Sequence, residues 1–441
     1  MNSTLAEKIA FAHYGISGKA QQLDGYTDLN FKISAKEGAY ILKISHIDSD
    51  IAYLSFQNDL LLYIENQQPD FLFPKVYPNK IGSFLSNYTD EQGNTYLIRL
   101  LTWIEGRMYY QVNPKTEHLD YTLGQKCGAI TACLQGFTHD FTCENLEWDI
   151  ANALWVEEYL PLFSAEKQKM FSFYLDKFKS IQNTYKNLRK STVHNDANEH
   201  NIVVSSDLQN PETLAIIDYG DTTFTQTIND VAVLLAYGMM EHEQPLQAAA
   251  PILAGYQQQF PLQANELKVL YVCVAMRLLI SLTKSAIARQ KEPENTYIFV
   301  SEKTGWALLE KWYHIPENFA YYCFRQACGF PACEHEEAFT AYAKENKWLI
   351  NNLLGISPAC KIAPLDLSID SPFVGNFQEY KSEKLTEKIQ RILEEQDILL
   401  VGGYGEARPI YTTDAYKVAM NEGFEYRTIH LGTDFWTKTN T

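Results

Sequence analysis

The sequence is poor in basic charge and carries no long run of lysine and arginine. Its 441 residues hold 37 lysines and arginines against 54 aspartates and glutamates, which gives a formal net charge of -17. Nucleic acid and anionic membranes are bound by clustered basic side chains, so we expect neither as a partner. An acidic surface suits a cationic substrate, although it also favours solubility by itself.

Export signals and paired cysteines are also missing. The N-terminus has no charged segment followed by an apolar core, and we expect no apolar run of membrane-spanning length. None of the eight cysteines forms a Cys-x-x-Cys pair, and Cys323, Cys328 and Cys333 have the wrong spacing for a common zinc knuckle. The sequence therefore predicts a cytoplasmic protein with buried free thiols.

An acidic and amide-rich cluster lies between two short apolar runs. Asp196 falls in a turn before the first run, Asn201 follows five positions later, and Asp218 ends the second run. Phosphoryl transfer needs a carboxylate that deprotonates the acceptor and oxygen ligands that hold Mg²⁺. Each residue alone would more often be turn chemistry. Their order between two strands favours catalysis, with Asp196 as the base and with Asn201 and Asp218 as metal ligands.

These motifs resemble the aminoglycoside phosphotransferase and choline kinase superfamily, most closely its hydroxylysine kinase branch. The loop 194–201 is similar to His-Gly-Asp-x-Asn-x-x-Asn, and 217–221 is similar to Ile-Asp-Phe-Gly-Asp. Asn195 stands where the family usually has glycine, a change that would alter the backbone of the turn. Further matches at 99–106, 148–149 and 229–232 extend the resemblance over about the first 350 residues.

The resemblance implies an α+β, bilobal protein-kinase-like fold. We expect a small β-rich N-lobe over residues 1–103, a mainly helical C-lobe with the catalytic loop over 104–355, and a linker with a partial β module over 356–441. It also implies a kinase that uses Mg²⁺ with ATP or GTP to phosphorylate the hydroxyl of a small amine-bearing alcohol, similar to hydroxylysine or ethanolamine. Helical periodicity falls in the C-lobe at 123–137, 152–187 and 267–290.

One lysine interrupts a β-rich apolar run at 39–44. The resemblance implies that Lys43 pairs with the inner phosphates of the nucleotide, and that Asp28 and Asn30 lie in the turn over them. From the strand alone, an edge-strand lysine whose ammonium reaches water is an equal interpretation. Kinases usually hold this lysine with a glutamate, whereas Gln57 takes that position on the apolar face of the next helix. Asp59 lies on another face, so we expect Gln57 to orient Lys43.

Other polar residues receive secondary roles. We expect His194 to brace the catalytic loop, and the carboxylates of Asp221 and Glu105 are candidates for binding the acceptor's ammonium. Arg277, on a long apolar helix, either faces the substrate or is a structural arginine. We favour the second interpretation, with an acid such as Asp230 as its partner, because buried charges are generally paired.

The C-terminal segment has a different character. We expect an irregular stretch at 356–370, an amphipathic helix at 383–396, and a strand at 398–401 that ends in a glycine-rich turn. His430 and Asp434 are similar to the first ligand motif of lysostaphin-type zinc peptidases, but a zinc site needs at least a third ligand.

This end of the chain also resembles the junction in fusion proteins that join a kinase-like module, a peptidase-like module and a PLP-dependent aminotransferase-like module. We therefore expect the sequence to be part of a longer chain. Under that reading an alternative function arises, in which the kinase-like fold is a catalytically weak nucleotide-binding module that serves the PLP-dependent enzyme.

Overall fold

The computed structural model describes residues 1–23, 28–141, 146–291, 301–346, 354–355, 357, 359–368, 371–375, 382–408, 414–420, 423–426 and 428–438. The chain divides into two compact units, residues 1–336 and residues 337–441. The three-part division expected from the sequence remains a prediction. Residues 356, 358, 369 and 370 of the irregular stretch expected at 356–370 lie outside the described residues.

The first unit combines an antiparallel sheet with a helical region. Its helices are α1 (Ser3–Ile9), α2 (Ile51–Asn66), α3 (Glu117–Cys133), α4 (Ala165–Ser180), α5 (Gln182–Lys186), α6 (Ile228–Gly238), α7 (Pro245–Gln259), α8 (Ala264–Lys291), α9 (Glu302–Tyr313) and α10 (Glu317–Ala327), and α11 (Glu336–Glu345) belongs to the second unit except for its first residue. Its strands are β1 (Gly18–Leu23), β2 (Leu29–Ala35), β3 (Ala39–Ile44), β4 (Val76–Tyr77), β5 (Ser86–Thr89), β6 (Thr95–Thr102), β7 (Arg107–Met108), β8 (Lys190–Val193), β9 (Ile202–Val204), β10 (Thr213–Ile216) and β11 (Thr223–Gln226).

The N-terminal sheet separates apolar from polar side chains by strand alternation. Its order is β1-β2-β3-β6-β4, with β5 also pairing with β6. Successive side chains point to opposite faces of a strand. Phe31, Leu42 and Leu100 therefore share one buried core with α1. The register places Asn30 opposite Lys43 and Lys43 opposite Arg99, so polar side chains from three strands meet on the other face.

The helical region is built around α8. This helix is long and apolar enough to cross a membrane by length and composition alone, so the prediction that no apolar run reaches that length is wrong. Most of its apolar stretch is buried, and it packs against α4, α6, α9 and α10. The apolar character of α8 therefore reflects its position at the centre of the core.

Helices α3 and α7 cross with almost no space between their backbones. A Cβ atom added at Gly124 would collide with the carbonyl oxygen of Ile252, and one added at Gly255 would collide with that of Tyr121. At Gly128 the added atom would lie 2.7 Å from the carbonyl oxygen of Tyr256. Backbone atoms cannot rotate away as side chains can, so this crossing requires glycine.

The second unit holds a small mixed sheet. The sheet consists of β12 (Lys361–Leu365), β13 (Ile398–Gly402) and β16 (Phe435–Trp436). The unit also contains α12 (Ser382–Glu395), and β14 (Lys417–Met420) and β15 (Gly423–Tyr426) pair with each other in a separate sheet. The helix, the strand and the glycine-rich turn expected at 383–405 are present. The irregular stretch expected at 356–370 instead includes β12, which pairs in parallel with β13. Pro364 is tolerated there because β12 is an edge strand.

The peptidase-like motif in this unit does not form a complete metal site. Nε2 of His430 lies 3.3 Å from Oδ2 of Asp434, and the buried Arg408 donates a hydrogen bond to the same oxygen. Within the described parts of the chain, no group of three or more His, Cys, Asp or Glu side chains is arranged to hold a metal ion. The resemblance to a peptidase module stays a prediction.

The glycine crossing generates a stability prediction. Gly124→Ala should lower the free energy of unfolding by about 2–3 kcal/mol, because overpacking forces the two helices apart. Gly305→Ala in α9 is the matched control, since its new methyl group would meet only flexible side chains, Leu282 at 3.4 Å and Met240 at 3.7 Å. That control should keep or raise stability, as alanine is the better helix former. Urea denaturation of both variants measures the difference, and equal stabilities would contradict the crossing.

Candidate active site

A β-hairpin brings two predicted metal ligands together. Strands β9 and β10 pair with Ile202 opposite Ile216, so the residues just outside the pair are neighbours. The backbone N–H of Ile217 donates to the carbonyl oxygen of Asn201 at 2.8 Å. Asn201 and Asp218 therefore lie at the same end of the hairpin, although 17 positions separate them in the sequence.

Asp196 is the most heavily bonded side chain of the loop. Its carboxylate accepts hydrogen bonds from the amide nitrogen of Asn201 at 2.7 Å and from that of Asn198 at 3.1 Å. Nη2 of Arg277 donates to Oδ1 at 2.8 Å, and this guanidinium is fully buried in α8. The carboxylate is thus held in one orientation by three donors from two separate elements.

The charges around Asp196 act in opposite directions. Burial raises the pKa of Asp196 to about 8, and the nearby Asp221 and Asp218 carboxylates add to the shift, whereas Arg277 and Asn198 counteract it. Burial and Asp218 also raise the pKa of Asp221, to about 6, against Arg277 and Lys284. A carboxyl group with a pKa near neutrality is suited to exchanging a proton.

Lys43 reaches across from the sheet to the hairpin. Its Nζ lies 3.3 Å from Oδ2 of Asp218, and this charge lowers the pKa of Asp218. Asp218 is therefore ionised at neutral pH, and nearly half of its side chain is exposed.

Gln57 lies on the inward face of α2 but contacts a different cation from the one expected. Its amide oxygen accepts a hydrogen bond from Arg99, not from Lys43. The reason is electrostatic, because Lys43 is paired with the ionised Asp218 and a neutral amide cannot compete with that charge. Arg99 lies beside Lys43 on the neighbouring strand and is within reach of Gln57. Asp59 points elsewhere and contacts His139 at 3.2 Å.

Of the other residues predicted for the site, Asp28 and Asn30 lie at the N-terminal sheet and Glu105 lies at the surface. Asn30 lies opposite Lys43 in the sheet, and its amide donates to the backbone oxygen of Asp28 at 3.4 Å. Asn30 belongs to the polar face of the sheet, and Asp28 immediately precedes β2. Glu105 is exposed instead, and its carboxylate pairs with Lys32 at 3.0 Å.

His194 and Asn195 shape the turn before the base. Nδ1 of His194 accepts the N–H of Asp196 at 3.2 Å, and burial lowers the pKa of His194. Asn195 adopts φ +63, and its N–H donates to Oδ1 of Asp230 at 2.9 Å. Asparagine tolerates this left-handed conformation, so the turn forms without the family's glycine. Asp230 lies in the first turn of α6.

The sequence predicted the wrong partner for one arginine at the site, Arg277, and no role for another, Arg99. Arg277 pairs with Asp196 and not with Asp230, which instead accepts from Thr131 at 2.7 Å. Arg99 is almost fully buried beside Gln57, and the charges of Asp28 and Asp218 act on it. Strand alternation was the available signal for Arg99, because its neighbours Ile98 and Leu100 both face the apolar core.

The site offers oxygen ligands that suit a magnesium ion. Asp218 supplies an ionised carboxylate, and the amide nitrogen of Asn201 is engaged by Asp196, which leaves its oxygen for a cation. Mg²⁺ is usually bound by one or two protein oxygens together with water and substrate phosphates. The residues present fit such an ion.

Comparison with known proteins shows that the chain matches one protein family. A model of the phosphotransferase enzyme family matches residues 19–264, which is more than half of the chain. Hydroxylysine kinase of Mus musculus is 28% identical over 320 residues, covering 66% of this chain and 84% of that protein. Hydroxylysine kinase of Bos taurus is 26% identical over 316 residues, with the same coverage.

Solved kinases share the fold. An amicoumacin kinase bound to AMP-PNP and Ca²⁺ superposes with a TM-score of 0.53 at 17% identity, covering 76% of this chain and 96% of its own. A microcompartment-associated aminopropanol kinase gives 0.51 at 18% identity, covering 70% and 97%. The predicted α+β, protein-kinase-like fold is confirmed.

The left-handed turn generates a stability prediction. Both amide atoms of Asn195 lack a hydrogen-bond partner among the described residues. Truncating the side chain therefore breaks no side-chain hydrogen bond to these residues and measures the strain of the backbone at positive φ. Asn195→Ala should unfold about 1 kcal/mol more readily than Asn195→Gly, because only glycine is free of the Cβ penalty at positive φ. At Ala197, which has no positive φ, Ala197→Gly should instead lower stability. Equilibrium urea unfolding measures all three, and an alanine variant as stable as Asn195→Gly would contradict the strain.

Proposed function

The chain belongs to the phosphotransferase enzyme family and is a small-molecule kinase, and we propose that its acceptor is the hydroxyl of a small amine-bearing alcohol. One observation carries the proposal. Asp196, Asn201 and Asp218 are assembled at one end of a hairpin, with Lys43 paired to Asp218 from the sheet. This is the arrangement that in-line transfer of a phosphoryl group requires.

Asp196 acts as the general base in this proposal. Its carboxylate takes the proton of the acceptor hydroxyl as the acceptor oxygen bonds to the terminal phosphorus, while the bond from phosphorus to the bridging oxygen breaks and the diphosphate leaves. Arg277, Asn198 and Asn201 hold the carboxylate in one orientation. Positioning and charge account for catalysis, and no covalent enzyme intermediate is needed.

The nucleotide end uses the polar face of the sheet. Lys43 contacts the inner phosphates of ATP or GTP, and Asp28, Asn30 and Gln57 line the same end. Asn201 and Asp218 would hold Mg²⁺, and the ion would supply positive charge that neutralises the phosphates. The amicoumacin kinase, solved with an adenine nucleotide analogue, supports a nucleoside triphosphate donor.

The acceptor end is acidic. Asp221 lies close enough to Asp196 to raise its pKa, which favours a cationic acceptor, whereas Glu105 is already paired with Lys32. The hydroxylysine kinases among the relatives support an amino alcohol. We place the enzyme in the cytoplasm, in keeping with the free thiols of its described cysteines, and retain the fused PLP-dependent module as part of the proposal.

The proposal is tested by nucleotide consumption with hydroxylysine, ethanolamine and 1-amino-2-propanol. The wild type should show acceptor-dependent turnover, and Asp196→Asn should lose it by about 10²–10⁴-fold while still binding nucleotide. Asp176→Asn, an exposed carboxylate on α4, is the matched control and should keep the wild-type rate. Nucleotide binding without turnover in the wild type would favour a binding module that serves a fused PLP-dependent enzyme.

The pH dependence should follow the charges around the base. A base works in its ionised form, so kcat/KM should fall as the pH drops through the pKa of Asp196, which is raised to about 8. Arg277→Met should move this limb to higher pH, because the guanidinium lowers that pKa. Asp221→Asn should move it to lower pH, because the carboxylate raises the pKa. Shifts in the same direction for both variants would contradict the assignment of the limb to Asp196.

A further inference from the structure

The two short motifs at 148–149 and 229–232 meet in the helical region. The amide nitrogen of Asn229 donates to Oδ1 of Asp149 at 3.0 Å, and the hydroxyl of Thr225 donates to the same oxygen at 3.0 Å. Asp149 is 6% exposed and Asn229 is fully buried, so each needs such a partner. The carboxylate of Asp149 is therefore held in place from both α6 and β11.

The same oxygen of Asp149 also fixes the backbone beside it. The N–H of Ala151 donates to this oxygen at 3.1 Å, which makes Asp149 the N-cap of a 3-10 helix at Ile150–Leu162. A capping side chain satisfies a helix N–H that would otherwise lack a partner, and it thereby fixes how the chain enters the helix. The carbonyl group of Trp148 belongs to the peptide immediately before this cap, so the cap sets its direction.

The carbonyl group of Trp148 holds the arginine that orients the base. Nη1 of Arg277 donates to the Trp148 oxygen at 2.8 Å, and Nη2 donates to Oδ1 of Asp196 at 2.8 Å. The indole ring of Trp148 lies 4.8 Å from the guanidinium carbon, within the range of a cation–π contact. Burial raises the pKa of Asp149, and its hydrogen bonds and the charge of Arg277 counteract that shift. Direct contacts therefore connect the peptide at Asp149 to the base.

The reaction weakens one of the two bonds of this guanidinium. When Asp196 takes the proton of the acceptor hydroxyl, its carboxylate becomes neutral, and a neutral acceptor holds a cation less strongly than an ionised one. The carbonyl oxygen of Trp148 takes up no proton, so its bond to Arg277 is the same before and after the transfer. This bond therefore keeps the guanidinium in place at the moment when the base can no longer do so.

We propose that Asp149 is a positioning residue for the base, because its hydrogen bonds fix the Trp148 carbonyl group that holds Arg277. This rests on the proposed function and deepens it, since it assigns to a residue outside the catalytic loop the control of how the base is oriented. Asp149 acts through Arg277 and contacts no reacting atom in this role. Asn229 and Thr225 contribute by holding the Asp149 carboxylate.

The test follows kcat and the acid limb of kcat/KM in a double-mutant cycle with Arg277. Asp149→Ala should free the Trp148 carbonyl group and let the guanidinium move away from the base. Because Arg277 lowers the pKa of Asp196, the limb should move to higher pH, and kcat should fall by at least about tenfold as the base is misplaced. In the Arg277→Met background the same substitution should leave the limb in place and change kcat by less than about twofold, because residues that act through one another are not additive.

Controls separate positioning from folding. Asp50, the exposed N-cap of α2, accepts the N–H of Ala52 at 2.8 Å, so Asp50→Ala loses the same kind of bond. It should lower Tm and leave the acid limb in place. Asp149→Asn keeps an oxygen for the three donors and should retain most of the wild-type rate. If Asp149→Ala does not fold, Thr225→Val removes one donor, keeps the shape of the side chain and should give a smaller shift in the same direction.

Three outcomes would overturn the assignment. The first is an acid limb that stays in place in the Asp149 and Thr225 variants, which would leave Asp149 a role in folding only. The second is an undiminished loss of rate in the Arg277→Met background, because Asp149 would then act independently of the guanidinium. The third is an asparagine variant as slow as the alanine variant. Failure of the proposed function is distinct, because the wild type would then consume no nucleotide with hydroxylysine, ethanolamine or 1-amino-2-propanol.

Discussion

The contact between Arg277 and Asp196 is the interaction on which the site depends. Arg277 lies on the central helix of the core, where a guanidinium without a partner would be strongly destabilising. It meets this requirement with Asp196 and with the backbone oxygen of Trp148, each at 2.8 Å. The rigid core thereby fixes the orientation of a loop side chain. A loop held only by its own turns would leave the base mobile, and a misplaced base loses much of its effect.

The second constraint is the register of the N-terminal sheet. Alternation sends one set of side chains into the apolar core and leaves Asn30, Lys43 and Arg99 side by side on the other face. A shift of the strand register by one residue would bury these polar groups and expose the core. The alternating apolar pattern therefore fixes the register that places the polar groups side by side. The cations on this face then meet Asp218 and Gln57. The positions of Asn30, Lys43 and Arg99 in the site thus follow from the packing of apolar side chains on the opposite face of the sheet.

Local pattern was sufficient to predict much of this protein. The apolar runs on either side of the catalytic loop gave β9 and β10, and the motif between them predicted which side chains meet. Partner choice was harder, because it depends on distances between elements far apart in sequence. Gln57 was placed on the correct face of α2, yet its partner is Arg99, because Lys43 forms an ion pair with Asp218. Arg277 was recognised as a buried charge that needs an acid, but helix periodicity cannot say which acid lies opposite. Composition alone also could not distinguish α8 from a membrane span, because both are long and apolar.

The glycine crossing between α3 and α7 has a reach beyond the two helices. Tyr256 of α7 donates to Thr131 of α3 at 3.0 Å, Thr131 donates to Asp230 at 2.7 Å, and Asp230 receives the N–H of Asn195 at 2.9 Å. Hydrogen bonds weaken steeply beyond their optimal length, so this relay tolerates little change in the spacing of the helices. Because Gly124, Gly128 and Gly255 carry no methyl group, the two helices keep the spacing that this relay needs, and the relay in turn fixes the bend of the chain immediately before its base.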